Sequence, residues 1–453
     1  MVRTADTVLD NLAAAQIAAI KQATWDVLPK CQEFLRSLIQ IDTTNPPGSN
    51  YPECAKLIGD TLCELGYAVQ YVEVPSDQLG ALAPMGQGLP RVNVIGRHSG
   101  TQAGTGKTLH VNGHFDVVPI GVSENWKYPP FGGEVHNGRM YGRGTADMKG
   151  GIAAQIFAVE ALRKAGLKLR GNIEQSAVVD EETTGIHNAG MGFLVDNGYI
   201  RADKIDAIVI TEPLNTTNVC CGHRGTIWGT ITFRGRLSHG SMPGLGVNAL
   251  HHACSFVQLA TTTISPKLAL LGDDNVIPPA ARVPSLAFTV LKAGENINSI
   301  PDVAVVSFDR RLVPGETLAG ARQQIFDVLE SMKQTPGFEE LNYEYKEDYH
   351  TEATWVDPNL PISRIFRDAI KVVTGQEAGI VSSPGSDDQR FPVHSLTPPI
   401  ESTIVYGPGC ISEAHIADES IDIEKELRVG MEVMALAFAS FLGVESQQAA
   451  ARL

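Results

Sequence analysis

Leu109-His110-Val111-Asn112-Gly113-His114-Phe115-Asp116 is the stretch on which the fold turns. Its first four residues read as a short strand, and the run stops on a histidine and an aspartate two positions apart. The same event recurs downstream. An apolar run over 173–179 leads into Asp180-Glu181-Glu182, and another over 207–211 ends in Glu212. The glycine-rich Tyr141-Gly142-Arg143-Gly144 leads to Asp147, just before a helix expected over 150–165. In an open α/β sheet, sites form beyond the carboxyl ends of the strands. Metal-type side chains fall there again and again, so one reading yields both a layered α/β domain and its site.

Working outward, strands are expected over 68–74, 92–96, 109–112, 173–179 and 207–211. Helices precede and separate them. One starts at Pro29 and carries Phe34, Leu35, Leu38 and Ile39; a second carries Cys54, Leu57, Ile58 and Leu62 and stops at Gly66. This alternation specifies a layered domain with a substantially parallel sheet. After Cys221 the rhythm changes to strand 226–237, helix 248–262, strands 286–292 and 303–313, a helix from Thr317 through about Met332, and strand 341–349. The order β-α-β-β-α-β is that of a ferredoxin-like module. Helix 361–373, strands 379–383 and 403–406 and a closing helix over 421–442 resume the first pattern. The expectation is a discontinuous catalytic α/β sandwich, 1–222 and 353–453, with a ferredoxin-like α+β domain inserted at 223–352.

Lysine and arginine total 36 against 51 acidic residues, a net charge of −15. Such a chain is a poor partner for nucleic acid or an anionic membrane. No apolar run approaches the roughly 20 residues of a membrane helix. Arg3, Asp6, Asp10 and Lys21 interrupt any export-signal core, and Val8, Leu9, Leu12, Ile17 and Ile20 fit an amphipathic helix instead. The seven cysteines are odd in number and lack C-x-x-C spacing, as expected of free thiols in a reducing, cytoplasmic setting.

Carboxylates mixed with imidazoles suit Zn²⁺ or a similar divalent ion, and the absence of cysteine from the set favours a catalytic over a structural site. Residues two apart on a strand point to the same side. His114 can then bind metal through one ring nitrogen while Asp116 fixes the other. Glu181 and Glu182 are adjacent, so one can ligate while the other acts as general base.

The stretches 110–119 (HVNGHFDVVP), 140–151 (MYGRGTADMKGG), 180–185 (DEETTG), Thr211-Glu212-Pro213, 238–243 (SHGSMP) and 298–301 (NSIP) closely resemble M20 metallohydrolases in composition, order and spacing. That family includes acetylornithine deacetylase, succinyl-diaminopimelate desuccinylase, aminoacylase and carboxypeptidase G types. The resemblance implies two divalent ions, Zn²⁺ with Co²⁺ or Mn²⁺ as alternatives, bridged by Asp147 and a water. His114 and Glu212 would complete one site, and Glu182 and His415 the other. Glu181 would be the general base and Asp116 the partner of His114. The insert resembles the family's lid and dimerisation domain, with His239 reaching a neighbouring subunit's site to stabilise the oxyanion. Asn298 and Arg311 fall where the family contacts substrate. Arg390 resembles a carboxylate-binding arginine of the desuccinylase branch, although Asp388-Gln389 depart from that branch's small residues.

These features predict a metal-dependent amidohydrolase that removes an acyl group from a small N-acylated amine bearing a carboxylate, acting as a homodimer through the lid. A dipeptidase or carboxypeptidase on the same scaffold is the closest alternative, followed by a deformylase or carbamoyl-amide hydrolase. A metabolite-binding pseudoenzyme would lack a ligand or the base, and every expected position is filled.

Overall fold

The computed structural model describes residues 9, 11–182 and 188–446. Contacts divide the chain into two compact units. One runs to Cys221 and includes Val356–Val381 and the chain from Asp387 onward; the other comprises Gly222–Trp355 and Ser382–Ser386.

The first unit opens with helix α1 (Ala14–Gln40) and helix α2 (Tyr51–Glu64). The helix expected from Pro29 is therefore the second half of a longer one that runs through the proline. Its buried stripe of Ile20, Ala23, Val27, Leu28, Cys31, Phe34, Leu35 and Leu38 is unbroken across Pro29. Packing of that stripe outweighs the roughly 3 kcal/mol that an interior proline costs. Val8 of the expected N-terminal helix, and Arg3, Asp6 and Asp10, lie outside the described residues.

Strands β1 (Ala68–Glu73), β2 (Val92–His98) and β3 (Thr108–His114) follow, then helix α3 (Lys149–Lys164), β4 (Asn172–Val178), β5 (Ala207–Ile210) and β6 (Asn218–His223). After the insert come helix α4 (Pro361–Thr374), β7 (Gly379–Ser383), β8 (Thr403–Val405) and helix α5 (Arg428–Leu442). The sheet order is β1-β2-β4-β3-β5-β8-β6, with β7 also pairing β6. Its centre, β4-β3-β5-β8, is parallel, whereas β1-β2, β2-β4 and β8-β6 are antiparallel. The sheet is thus mixed, parallel only in its four central strands. Strand β6 was not expected, because Cys220-Cys221-Gly222-His223 carries no clear alternation.

Helix α5 is buried all round, from Gly430 to Leu442, and packs against α1, α3 and α4. A helix apolar on every face belongs inside. The closing helix was expected from 421, but Ser420–Asp422 is a strand paired with Arg139–Tyr141. The Asp422 carboxylate then accepts the N–H groups of Glu424 and Lys425, so the helical turns begin only beyond it. No helix among the described residues is long and apolar enough to cross a membrane.

The second unit contains strands β9 (Gly225–Arg234), β10 (Ser285–Ala293), β11 (Val303–Leu312) and β12 (Asn342–Thr351), and helices α6 (Ala249–Leu268) and α7 (Leu318–Lys333). The sheet is antiparallel, in the order β10-β11-β9-β12. This is the ferredoxin-like arrangement. Ile227, Ile231, Phe233, Phe256, Ile264, Val306, Phe308, Ile325 and Leu329 form its core. Thr317 caps α7 by accepting the Gly320 N–H at 3.1 Å. The strand expected over 226–237 stops at Arg234, and Ser238–His239 pairs instead with Ser299–Ile300.

Candidate metal centre

The carboxyl ends of the central strands deliver the side chains. His114 is the last residue of β3, Glu181 and Glu182 follow β4, and Glu212 follows β5. Asp147 precedes α3, and His415 lies in the loop after β8. Gly407, two residues past β8, is required by proximity: a Cβ there would stand 2.1 Å from the Thr211 carbonyl oxygen and 2.7 Å from that of Glu212.

These residues converge. Asp147 Oδ1 lies 3.1 Å from His114 Nε2, and its Oδ2 lies 3.4 Å from His415 Nε2. Glu212 Oε1 is 3.4 Å and Glu181 Oε2 3.9 Å from His114 Nε2. Glu182 Oε1 is 3.0 Å from His415 Nε2. Asp147 thus turns one oxygen toward each histidine. Ligand-type atoms of His114, Glu181 and Glu212, and again of His114, Asp147 and Glu182, lie within 4.8 Å of one another.

Asp116 sits beneath this cluster, wholly buried. His114 Nδ1 is 3.0 Å from the Asp116 backbone oxygen and 3.5 Å from its carboxylate. The backbone is therefore the nearer partner of the ring. The carboxylate mainly accepts the N–H groups of Glu181 at 3.2 Å and Glu182 at 3.1 Å, and the Asn45 amide at 3.1 Å. Asp180 turns the chain into the glutamate pair with φ of 59°, a left-handed conformation. Its buried carboxylate is held by Arg91 at 2.8 Å, Tyr51 at 2.9 Å and Asn45 at 2.9 Å. The remainder of the 180–185 motif, Thr183 to Gly185, lies outside the described residues.

The electrostatics are those of crowded carboxylates. Burial raises the proton affinity of Glu181 well above the usual range, and the charges of Glu212, Asp388 and Glu182 add to it. Burial and the Asp147 charge likewise raise Glu212, and lift Glu182 to about 7. Burial opposes a charged His114, but the Glu212 charge and contacts with Asp116 and Asp147 raise its proton affinity well above normal. His415 is pushed up to about 11 by its hydrogen bonds to Asp147 and Glu182. Asp147 moves down despite burial, through hydrogen bonds from His114 and His415. Among the described residues, no lysine or arginine forms an ion pair with Asp147, Glu181, Glu182 or Glu212. The buried Glu212 Oε1 accepts no hydrogen bond. Excess buried negative charge beside two imidazoles, with an acceptor left unmatched, is a donor set that fits divalent cations.

The other expected residues fall elsewhere. His239, Asn298 and Arg311 belong to the inserted unit. There His239 pairs with Ser299 in a short ribbon, and its Nδ1 lies 2.7 Å from Ser241 Oγ. The neighbouring Gly240 N–H donates to the Asn298 carbonyl at 2.7 Å. Arg311 is bound bidentately to Asp309 at 2.8 and 3.0 Å. Arg390 is buried in the catalytic unit, with its guanidinium 4.5 Å from the Phe391 ring centre. Asp388 is buried and accepts from Asn112 at 3.0 Å and Asn188 at 3.3 Å.

Sequence reading missed Arg91, Asn45, Tyr51, Arg143 and Glu419. Arg91 and Asn45 meet partners 89 and 71 positions away, beyond any local pattern. Arg143 stood inside the quoted glycine-rich stretch, and Glu419 only four residues past His415; both were within reach.

The sequence pattern of peptidase family M20/M25/M40 matches residues 110–440. A succinyl-diaminopimelate desuccinylase of Marinobacter nauticus is 29% identical over 323 residues, 70% of this chain and 80% of that protein. Another of the same name, from Psychromonas ingrahamii, is 30% identical over 316 residues, 69% of this chain and 78% of its own. Among solved structures, the dipeptidase Dug1p of Saccharomyces cerevisiae shares the fold with a TM-score of 0.70 at 18% identity, covering 95% of this chain and 99% of its own. Human carnosine dipeptidase 1 does so with a TM-score of 0.64 at 18% identity, covering 94% and 99%. The chain belongs to peptidase family M20/M25/M40 and is a metal-dependent hydrolase of amide bonds.

Proposed function

We propose that the chain hydrolyses the amide of a small N-acylated amino acid, releasing a carboxylate and a free amine. The observation that carries this reading is Asp147, whose two carboxylate oxygens face separate histidines. His114, Asp147 and Glu212 would hold one divalent ion and Asp147, Glu182 and His415 a second, with Zn²⁺ the first candidate and Co²⁺ or Mn²⁺ alternatives. Bound ions supply Lewis acidity to water and to the acyl oxygen.

Glu181 acts as the general base. Its raised proton affinity suits a carboxylate that takes a proton from the attacking water and returns it to the leaving nitrogen. Asp116 orients His114 and, by gripping two backbone N–H groups, the Glu181-Glu182 turn. His239, brought by the insert of a second subunit, stabilises the oxyanion, and Asn298, Arg311 and Arg390 bind the substrate, an arginine fork suiting its carboxylate. Desuccinylase relatives at about 30% identity support an acyl group with its own carboxylate. A homodimer through the insert is supported by edge strand β10, where Val290 and Leu291 are exposed. All seven cysteines are free thiols, which supports a cytoplasmic setting.

The test is free-amine release from N-succinyl, N-acetyl, N-formyl and dipeptide substrates, with added Zn²⁺ or Co²⁺ and with chelator. Metal-dependent turnover of an N-acyl class is expected. Turnover of dipeptides alone would transfer the reading to a peptidase, and metal-independent turnover would refute it.

A further inference from the structure

Glu419 takes no part in the chemistry above, yet it is wholly buried. Its Oε1 accepts three backbone N–H groups from one loop: Gly144 at 2.9 Å, Ala146 at 3.0 Å and Asp147 at 3.1 Å. Its Oε2 accepts from Arg143 Nη1 at 2.6 Å. Its backbone carbonyl accepts the Gly142 N–H at 2.9 Å. Residues 143–147 therefore wrap around a single carboxylate, helped by the left-handed φ of 91° at Gly144. Arg143 closes the ring by donating to the Ile416 carbonyl at 3.2 Å and the Pro119 carbonyl at 3.3 Å.

Without Glu419 those three N–H groups would be buried and unmatched, so the loop would have to open or repack. Successive amides converging on one anion form a rigid nest. One of them is the N–H of Asp147, the residue that faces both histidines. The chain that supplies Glu419 also supplies His415, four residues earlier and itself in a left-handed conformation with φ of 63°. One carboxylate thus ties the bridging aspartate to the segment that carries the exposed histidine.

We infer that Glu419 is a positioning residue that sets both halves of the metal centre at once, by fixing the Asp147 loop against the His415 segment. This rests on the metal reading given above. A plain buried ion pair with Arg143 would contribute to folding and leave metal affinity untouched, and that difference provides the test.

Metal-stripped full-length protein is titrated with Co²⁺, following the visible spectrum and the metal bound per chain, beside a thermal melt of the apoprotein. The variants are Glu419→Gln, Glu419→Asp and, as a control, Glu316→Gln, which breaks the half-buried Arg310–Glu316 pair of the inserted unit. Glu419→Gln is expected to weaken both Co²⁺ ions at least about tenfold and alter the spectrum, as loss of a ligand-orienting partner does. Glu419→Asp, which keeps the charge with a shorter reach, should fall in between. Glu316→Gln should lower the melting temperature and titrate as wild type. Wild-type affinity and spectrum in Glu419→Gln, or an equal loss in Glu316→Gln, overturns the inference while leaving the metal reading intact. Wild-type protein that binds no Co²⁺ overturns the metal reading and this inference with it. If Glu419→Gln does not fold, Glu419→Asp decides: weakened binding supports the inference, and wild-type titration refutes it.

Discussion

In the inserted unit, strand β11 alternates half-buried and buried residues along its ten positions, over a core of aliphatic and phenyl side chains. In the catalytic unit, strand β3 is buried from Leu109 to His114, and its interior includes His110, Asn112 and His114. Ser176 on the neighbouring strand contacts His110 at 2.9 Å and donates to Asn112 at 2.6 Å, and Asn112 donates in turn to Asp388. The inserted unit stabilises itself mainly by burying carbon, with Arg310 on β11 a buried charged exception. The other buries polar groups and must satisfy each of them, which is demanding in a low-dielectric interior. A packed module is specified largely by shape, whereas a metal centre needs charges held where water cannot relax them.

The sharpest separation of the two is Glu181→Gln, for which turnover should fall about 10⁴-fold, the upper range for a general base. Metal content and melting temperature should stay at wild-type values. A rate within tenfold of wild type would place the base elsewhere. Phe256→Ala, in the insert core, should cost about 3–5 kcal/mol of stability by denaturant unfolding. The chains that remain folded should carry a full metal complement, and loss of metal in step with stability would show that the units are not energetically distinct. Chelation is the reverse experiment. Metal at a hundred times its dissociation constant stabilises by about 2.7 kcal/mol per site, so stripping should lose about that much for each ion removed. Hydrogen exchange should rise around His114, Asp147, Glu212 and His415, with strands β9 and β11 unchanged; a uniform rise would erase the contrast. The smallest effect is expected for Thr317→Ala, which removes the α7 cap and costs about 1 kcal/mol with no change in metal binding.

Legibility in the sequence follows the same divide. The alternation of the insert is local, so its strands and helices could be read within a few residues. Most of the converging side chains were also legible, because His114, Glu182 and Glu212 follow apolar runs and Asp147 follows a glycine-rich stretch, whereas His415, in a loop, rested on the family resemblance. What escaped was long-range or unpatterned. Nothing near Arg91 announces Asp180, and nothing near Asn45 announces Asp116, since those bonds depend on sheet order and register. Pro29 concealed the length of α1, because the apolar stripe that overrides it is a tertiary fact. Strand β6 was hidden by a segment whose pairing comes from its neighbours. Asp116 was expected to reach His114 by its carboxylate, yet the backbone carbonyl is closer and the carboxylate is engaged by the next strand's exit turn.

The two ends of the insert are joined in register: His223 pairs with Thr354 and Gly222 with Trp355, and the Val356 N–H donates to the Cys221 carbonyl at 2.8 Å. An excursion that leaves and returns at one point adds little closure entropy to its host, because the cost of a loop depends on how far apart its ends must be drawn and grows only slowly with length. The host chain can therefore acquire, exchange or lose such a module without re-threading its own sheet. It follows that a short turn joining Cys221 to Val356 would be a compatible replacement for the whole excursion.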